Sequence, residues 1–424
     1  MNKIKIKNPR YRFQDFFNNN WEKIKFKKYI KLYRGSSPRP IQDYLTNDNG
    51  INWIKIGDTK NSRNYIITSV EEQITKEGAK QSRFVEKGEL VLANSMSYGS
   101  AYELGLNGCI YDGWFVLREY EPYFNKTFLK YQLNSNLLQY QYERLSAGGI
   151  VKNISSDIVY ATKLFYTSGK EQEKIAECLK SIDDLILLEE EKLENLKSHK
   201  KALLQKLFPK QNFQTPEWRY EEFNNCEKWD TIPLRKLALY RRGTFPQPYG
   251  LPEWYDNVEG MPFIQVFDVD ENLKLKVETK NKISKIAQQQ SVYIPKGTII
   301  VTIQGSIGRV AITDYDAYVD RTLLLFEKFY KKVDKKFIAY SLQLLFDIEK
   351  QKAPGGIIKT ITKEVLSNFN INLPEYKEQQ KIADCISSLD DLISAQIEKI
   401  EALNQHKKGL LQGLFPSIEE VENE

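Results

Sequence analysis

Two stretches of this chain place apolar residues in steps that alternate between four and three. The first runs through Ile175, Leu179, Ile182, Ile186, Leu193, Leu196, Leu203 and Leu207, with Glu189 and Lys200 filling the two gaps. The second runs through Ile382, Ile386, Leu389, Ile393, Ile400, Leu403, Leu410 and Leu414, and its gaps fall at Gln396 and Lys407. A spacing of 3.5 residues held for about five heptads predicts a coiled-coil seam rather than one buried helix face. About 35 helical residues give a rod of roughly 50 Å. Phe208-Pro209 and Phe415-Pro416 end the helices, because proline cannot continue one. A lysine facing leucine is costly unless its charge finds a partner. The two seams are therefore expected to pack on each other antiparallel, in the register that sets Glu189 opposite Lys407 and Gln396 opposite Lys200.

These stretches, 170–209 and 377–416, are copies of one another, identical at about 25 of 40 positions. The repeat extends beyond them. Trp21-Glu22-Lys23-Ile24 answers Trp229-Asp230-Thr231-Ile232, and Gly35-Ser36-Ser37-Pro38 answers Gly243-Thr244-Phe245-Pro246. Trp53 to Asp58 corresponds to Phe263 to Asp268, and Gly148-Gly149 to Gly355-Gly356. The whole chain therefore reads as a tandem duplication with pseudo-two-fold character, each half a globular unit followed by a long helix. Short β-branched or aromatic runs at 53–56, 90–93, 114–117, 263–267, 298–303 and 322–326 predict strands. Helical spacing appears at 127–142 and 335–350. Residues 154–166 and 361–373 suggest a short helix or turn followed by a closing strand. The fold class is α+β. The helices are nearly identical, whereas the globular units share only framework positions, and little of 94–147 aligns with 303–353.

Composition narrows the function. The 62 basic and 56 acidic side chains leave a net charge of +6. Acidic residues concentrate in the helices and at Glu419, Glu420, Glu422 and Glu424, so the globular units are more basic than the average. That balance favours a polyanionic partner without requiring one. Cys109, Cys178, Cys226 and Cys385 form no close pair, which argues against a disulfide framework or a zinc knuckle. His199 and His406 are repeat equivalents, each too far from the nearest cysteine on its helix to share a metal with it, and are expected in helix packing or capping. No apolar run reaches transmembrane length, and a cytoplasmic protein is expected.

A catalytic centre is hard to assemble from these residues. There is no phosphate loop and no Gly-x-Gly cofactor loop. Glu190-Glu191-Lys192 mimics a nuclease pair but lies within a charged helix. Asp183-Asp184 and Asp390-Asp391 are expected on a solvated helix face. No catalytic and no metal-binding residues are assigned. Loops after apolar strands offer better candidates for nucleic-acid contact, with hydroxyls, amides and cations that suit base edges and phosphates. In the first half these are Arg34, Ser36, Lys55, Asn94, Ser97, Tyr98 and Lys152. In the second half they are Arg241, Arg242, Gln265, Gln304, Ser306, Arg309 and Lys359.

The duplicated helix motif KEQxKIAxCLxSIDDLI…HKKxLLQxLFP, joined to two divergent heads, resembles the specificity (S) subunit of type I restriction-modification systems along essentially the whole chain. The copies differ around the motif. Leu373-Pro374 precedes the second Glu-Gln and Tyr166-Thr167 the first, and the Gly-x-x-Gly of Gly305–Gly308 has no counterpart at 97–101. The resemblance implies target recognition domains at 1–169 and 210–376, spacer helices at 170–209 and 377–416 forming an antiparallel coiled coil, and an acidic tail at 417–424. It implies a non-catalytic subunit that reads a bipartite site in double-stranded DNA beside two methyltransferase (M) and two restriction (R) subunits. AdoMet, ATP and magnesium would be cofactors of those partners and not of this chain. DNA advances roughly 34–36 Å per turn, so helices of this length would space two readers by a little over one turn. A non-catalytic scaffold with two protein-binding heads on a coiled-coil strut stays open at this level.

Overall fold

The computed structural model describes residues 4–95, 99–146, 153–270, 272–352 and 363–420. Two compact units divide the chain, one of residues 1–191 with 398–424 and the other of 192–397. The long helices Gly169–Leu207 and Tyr376–Leu414 are thus each shared between the units, which cut across the divisions expected at 169, 209, 376 and 416.

In the first unit, a five-stranded sheet has the order Lys31–Arg34, Trp114–Arg118, Leu90–Ala93, Ala101–Leu104, Ile66–Ile67. The strand Leu90–Ala93 is apolar at every position because both its faces are covered. Leu90 and Leu92 enter the core shared with the helices, and Val91 and Ala93 enter the core facing the second sheet. That second sheet runs Leu45–Thr46, Glu72–Ile74, Ile51–Ile54, Gly108–Ile110, Arg83–Val85. The other unit repeats the plan with two four-stranded sheets. Ile299 and Val301 face the helical core, while Ile300 faces the opposite one.

The helix expected at 127–142 is two, Lys126–Leu133 and Asn136–Ser146. Asn134 ends the first of them, and its amide brackets the backbone of Ala101, accepting at 3.0 Å and donating at 2.8 Å. An Asn side chain that bonds backbone in this way competes with helix continuation. The closing strands Lys163–Tyr166 and Asn370–Leu373 pair antiparallel with Glu22–Lys25 and Asp230–Pro233. Within the stretch expected as an acidic tail, Ser417–Glu420 forms a strand against Ile4–Lys7.

The seam residues of both helices are buried or half-buried. The helix segments within each unit run antiparallel: in the first unit Lys407 Nζ lies 2.5 Å from Asp183 Oδ1 and Lys399 Nζ 2.6 Å from Glu189 Oε1. In the second unit Lys200 Nζ lies 2.5 Å from Asp390 Oδ1. The register therefore differs from the expected one. Lys407 meets Asp183 rather than Glu189, and Lys200 meets Asp390 rather than Gln396. Asp183 and Asp390, expected in solvent, are 3 % and 4 % exposed, and only their neighbours Asp184 and Asp391 face water. For Lys200 the physical reason is that a buried ammonium needs a full countercharge, which a glutamine cannot supply. For Lys407, Asp183 is the more deeply buried carboxylate, and Glu189 is paired with Lys399. Each carboxylate also accepts a hydrogen bond from a buried tyrosine of its own unit, Tyr131 on Asp183 and Tyr340 on Asp390, the latter at 2.6 Å. His199 and His406, expected in packing or capping, are exposed.

The Glu-Gln of the helix motif fastens each head to the start of its helix. Glu171 is 1 % exposed and accepts Arg12 at two oxygens, both at 3.0 Å, and the Trp21 indole at 3.3 Å. Glu378 is fully buried and accepts Arg219 at 2.8 and 2.7 Å and Trp229 at 3.3 Å. Gln172 accepts from the Asn125 backbone and Gln379 from that of Asp334, each at 2.9 Å, where the adjoining head helices begin.

Candidate nucleic-acid interface

Three loops of the first unit reach the same end of the central sheet because their strands are neighbours. They are the segment after Lys31–Arg34, the segment after Leu90–Ala93, and the turn before Trp114–Arg118. Close approach demands glycine at Gly35, where a Cβ would lie 2.0 Å from the Tyr111 carbonyl oxygen. Gly243 holds the equivalent place in the second unit, with the Val319 oxygen 2.3 Å from a Cβ.

At this end of the first unit, Arg34 and Asn94 line one cleft with Leu32, Phe115 and Asn153 to Ser156. The segment that follows the first Gly-Gly pair is therefore brought beside two residues from separate strands. Arg34 is exposed, and among the described residues it donates only through Nε, to the Asp112 carbonyl at 3.0 Å. Asn94 is 5 % exposed, donates to the Asp112 carbonyl at 2.9 Å, and accepts the Ile154 amide on its own carbonyl at 2.7 Å. It is a tie between loops, with its amide already committed. Ser36 donates to the Gln81 carbonyl at 3.1 Å, and Lys55 is paired with Glu72. Ser97, Tyr98 and Lys152 lie outside the described residues.

In the second unit, Ser306 and Arg309 line a cleft with Val266, Phe267, Val269, Asp270, Lys276 and Gly305. Arg309 donates to the Val269 carbonyl at 3.1 Å, which ties its loop to the turn after the strand Met261–Ile264. Gln304, Ser306 and Arg242 are exposed, and Arg241 pairs with Glu327 at 2.8 Å. Gln265 is buried, accepting from Asn281 Nδ2 at 2.7 Å and donating to the Tyr249 hydroxyl. It supports an aromatic side chain instead of presenting its own amide. Lys359 lies outside the described residues.

Lys55 and Gln265 occupy matching turns. The Lys55 amide donates to Asp58 at 2.7 Å and the Gln265 amide to Asp268 at 2.9 Å. Burial raises both carboxyls above the usual range, against the pull of these backbone hydrogen bonds. Tyr249, Phe267, Lys280 and Arg321 lie outside the set of residues expected from the sequence. Lys280 lies over the Phe267 ring at 5.2 Å and Arg321 over Tyr249 at 5.5 Å. Aromatic residues interleaved with exposed cations were the available signal.

Residues 227–405 match the family described as type I restriction modification DNA specificity domain. The type I restriction enzyme MjaVIII specificity subunit of Methanocaldococcus jannaschii is 22% identical over 429 residues, covering 95% of this chain and 94% of the relative. Over 227–405 the chain thus carries a specificity domain, and along nearly its whole length it is similar to a type I specificity subunit. Its fold is similar to that of the S subunit of such a system from M. genitalium, with a TM-score of 0.58 and 16% identity over 97% of this chain and 100% of that one. It is also similar to a chain solved in work on complex assembly and conformational transition of the type I R-M system. There the TM-score is 0.61 and the identity 17%, over 93% of this chain and 97% of that one. Among the described residues no helix is long and apolar enough to cross a membrane.

Proposed function

We propose that each unit of this DNA specificity subunit reads one half of a bipartite site in double-stranded DNA, and that the paired helices set the unread spacer between the halves. Two methyltransferase and two restriction subunits dock on the chain, and they carry AdoMet, ATP and magnesium. The observation that supports this most is the pairing of one framework with two chemistries. Both units gather strand-end loops around an obligatory glycine, Gly35 or Gly243, yet the loops carry different side chains. Ser37 bonds Asp112 at 2.7 Å in one, and Phe245 packs on Tyr249 at 5.0 Å in the other. Two copies of one reader would have no reason to diverge there.

A scaffold with protein-binding heads predicts different behaviour toward salt. Phosphate contacts release counterions, so with about six contacts the log–log slope of affinity against salt is roughly −5. The chain with its methyltransferase partners is expected to show a slope of that order on a labelled duplex, measured by fluorescence anisotropy. Affinity that is indifferent to salt would favour the scaffold.

A further inference from the structure

The two units carry opposite charges at one equivalent position of the loop-bearing end. The correspondence rests on backbone hydrogen bonds. Gly35 donates to the Trp114 carbonyl at 2.9 Å, as Gly243 does to Leu323 at 3.0 Å. Asn94 donates to Gly113 and Ile303 to Thr322, both at 2.9 Å. The residue preceding Gly113 is Asp112, and the residue preceding Thr322 is Arg321. The shared frame thus holds a half-buried carboxylate that accepts from Ser37 in the first unit and an exposed guanidinium in the second.

Arg321 is placed as a reader. It is exposed, it makes no hydrogen bond or ion pair with any described residue, and its guanidinium lies 5.5 Å from the centre of the Tyr249 ring. Tyr249 packs against Phe245 with ring centres 5.0 Å apart, and its hydroxyl accepts from Gln265. An arginine seated on a braced ring keeps its planar fork oriented while its donors stay unspent. That geometry suits an acceptor pair of fixed direction. Phosphate needs no such bracing, because an ammonium meets it as a point charge, and Lys276 and Lys280 of the same unit are exposed.

We propose that Arg321 is a specificity-determining residue of the second unit, donating in bidentate fashion to the O6 and N7 edge of a guanine in that unit's half-site. Asp112, by accepting rather than donating, denies the first unit the same base. This inference rests on the reading that each unit recognises half of a split target.

The test uses the full chain with its methyltransferase partners and sequences the methylated DNA. Arg321→Ala is expected to relax one G·C position in one half-site and to leave the other half-site unchanged. Its discrimination at that position should fall roughly 5- to 150-fold. Arg321→Lys should restore discrimination only in part, since an ammonium can reach O6 and N7 but lacks the planar fork. The side chain is exposed, so both variants should melt with the wild type. Equal weakening on all sequences, with a shallower salt slope, would make Arg321 a phosphate contact and overturn the assignment. So would an unchanged motif. If the wild-type complex methylates no split motif at all, the reading beneath this inference fails instead.

Discussion

Asp390→Ala should destabilise the second unit by about 3–5 kcal/mol, because it strands a buried ammonium. Lys200 is 8 % exposed, and its charge is answered by Asp390 at 2.5 Å and by the face of Tyr340 at 5.6 Å. Burial and the adjacent carboxylate push the Tyr340 phenol well above its ordinary range, so it stays protonated and donates to Asp390. Removing the carboxylate therefore leaves both a cation and a hydroxyl without their acceptor. Replacing the whole set with apolar residues, Lys200→Met, Asp390→Leu and Tyr340→Phe, should return most of the stability, as it does for other buried ion pairs. Asp183→Ala should weaken the first unit in the same way, through Lys407 and Tyr131. Hydrogen exchange resolved by peptide is the suitable measurement, since two units need not unfold together. A loss below about 1 kcal/mol would show that water reaches the ammonium.

The second large effect is expected at Arg219. Its guanidinium makes both hydrogen bonds to Glu378, which has no exposed surface, and Arg219→Ala leaves that carboxylate with the Trp229 indole alone. The cost should again be about 3–5 kcal/mol, concentrated where the second long helix begins. Arg219→Lys should recover little, because one ammonium cannot bind both oxygens in the fork geometry. Arg12→Ala should reproduce the effect on Glu171 in the first unit. Urea unfolding of the full chain, followed through tryptophan fluorescence, reads both, since Trp21 and Trp229 adjoin the broken pairs.

Periodicity alone made the long helices and most strands legible. The strand at Leu90–Ala93 was recoverable because burial on both faces leaves an uninterrupted apolar run. The register was not, because it depends on Tyr131 and Tyr340, which reach the seam from head helices that heptad spacing cannot see. Asp183-Asp184 looked solvated because adjacent carboxylates usually are, yet one of the two turns inward to a lysine. The Arg12 and Arg219 latches did leave a trace. Pro9-Arg10-Tyr11-Arg12-Phe13 parallels Pro216-Glu217-Trp218-Arg219-Tyr220, so the internal repeat begins earlier than Trp21 suggested. Among the loop candidates, residue type pointed to Asn94, Lys55 and Gln265, but local partners occupy them. Arg321 was hidden because its placement depends on Tyr249, whose approach is made in three dimensions and not along the chain.

The central claim is that one chain directs modification to a split DNA sequence by presenting two different readers. Methylome sequencing of cells expressing the methyltransferase partners, with and without this chain, tests it most directly. The account predicts a motif of two unlike half-sites, separated by a constant stretch of unread base pairs, that appears only when the chain is present. Methylation that is the same without the chain, or confined to one continuous motif, would contradict it.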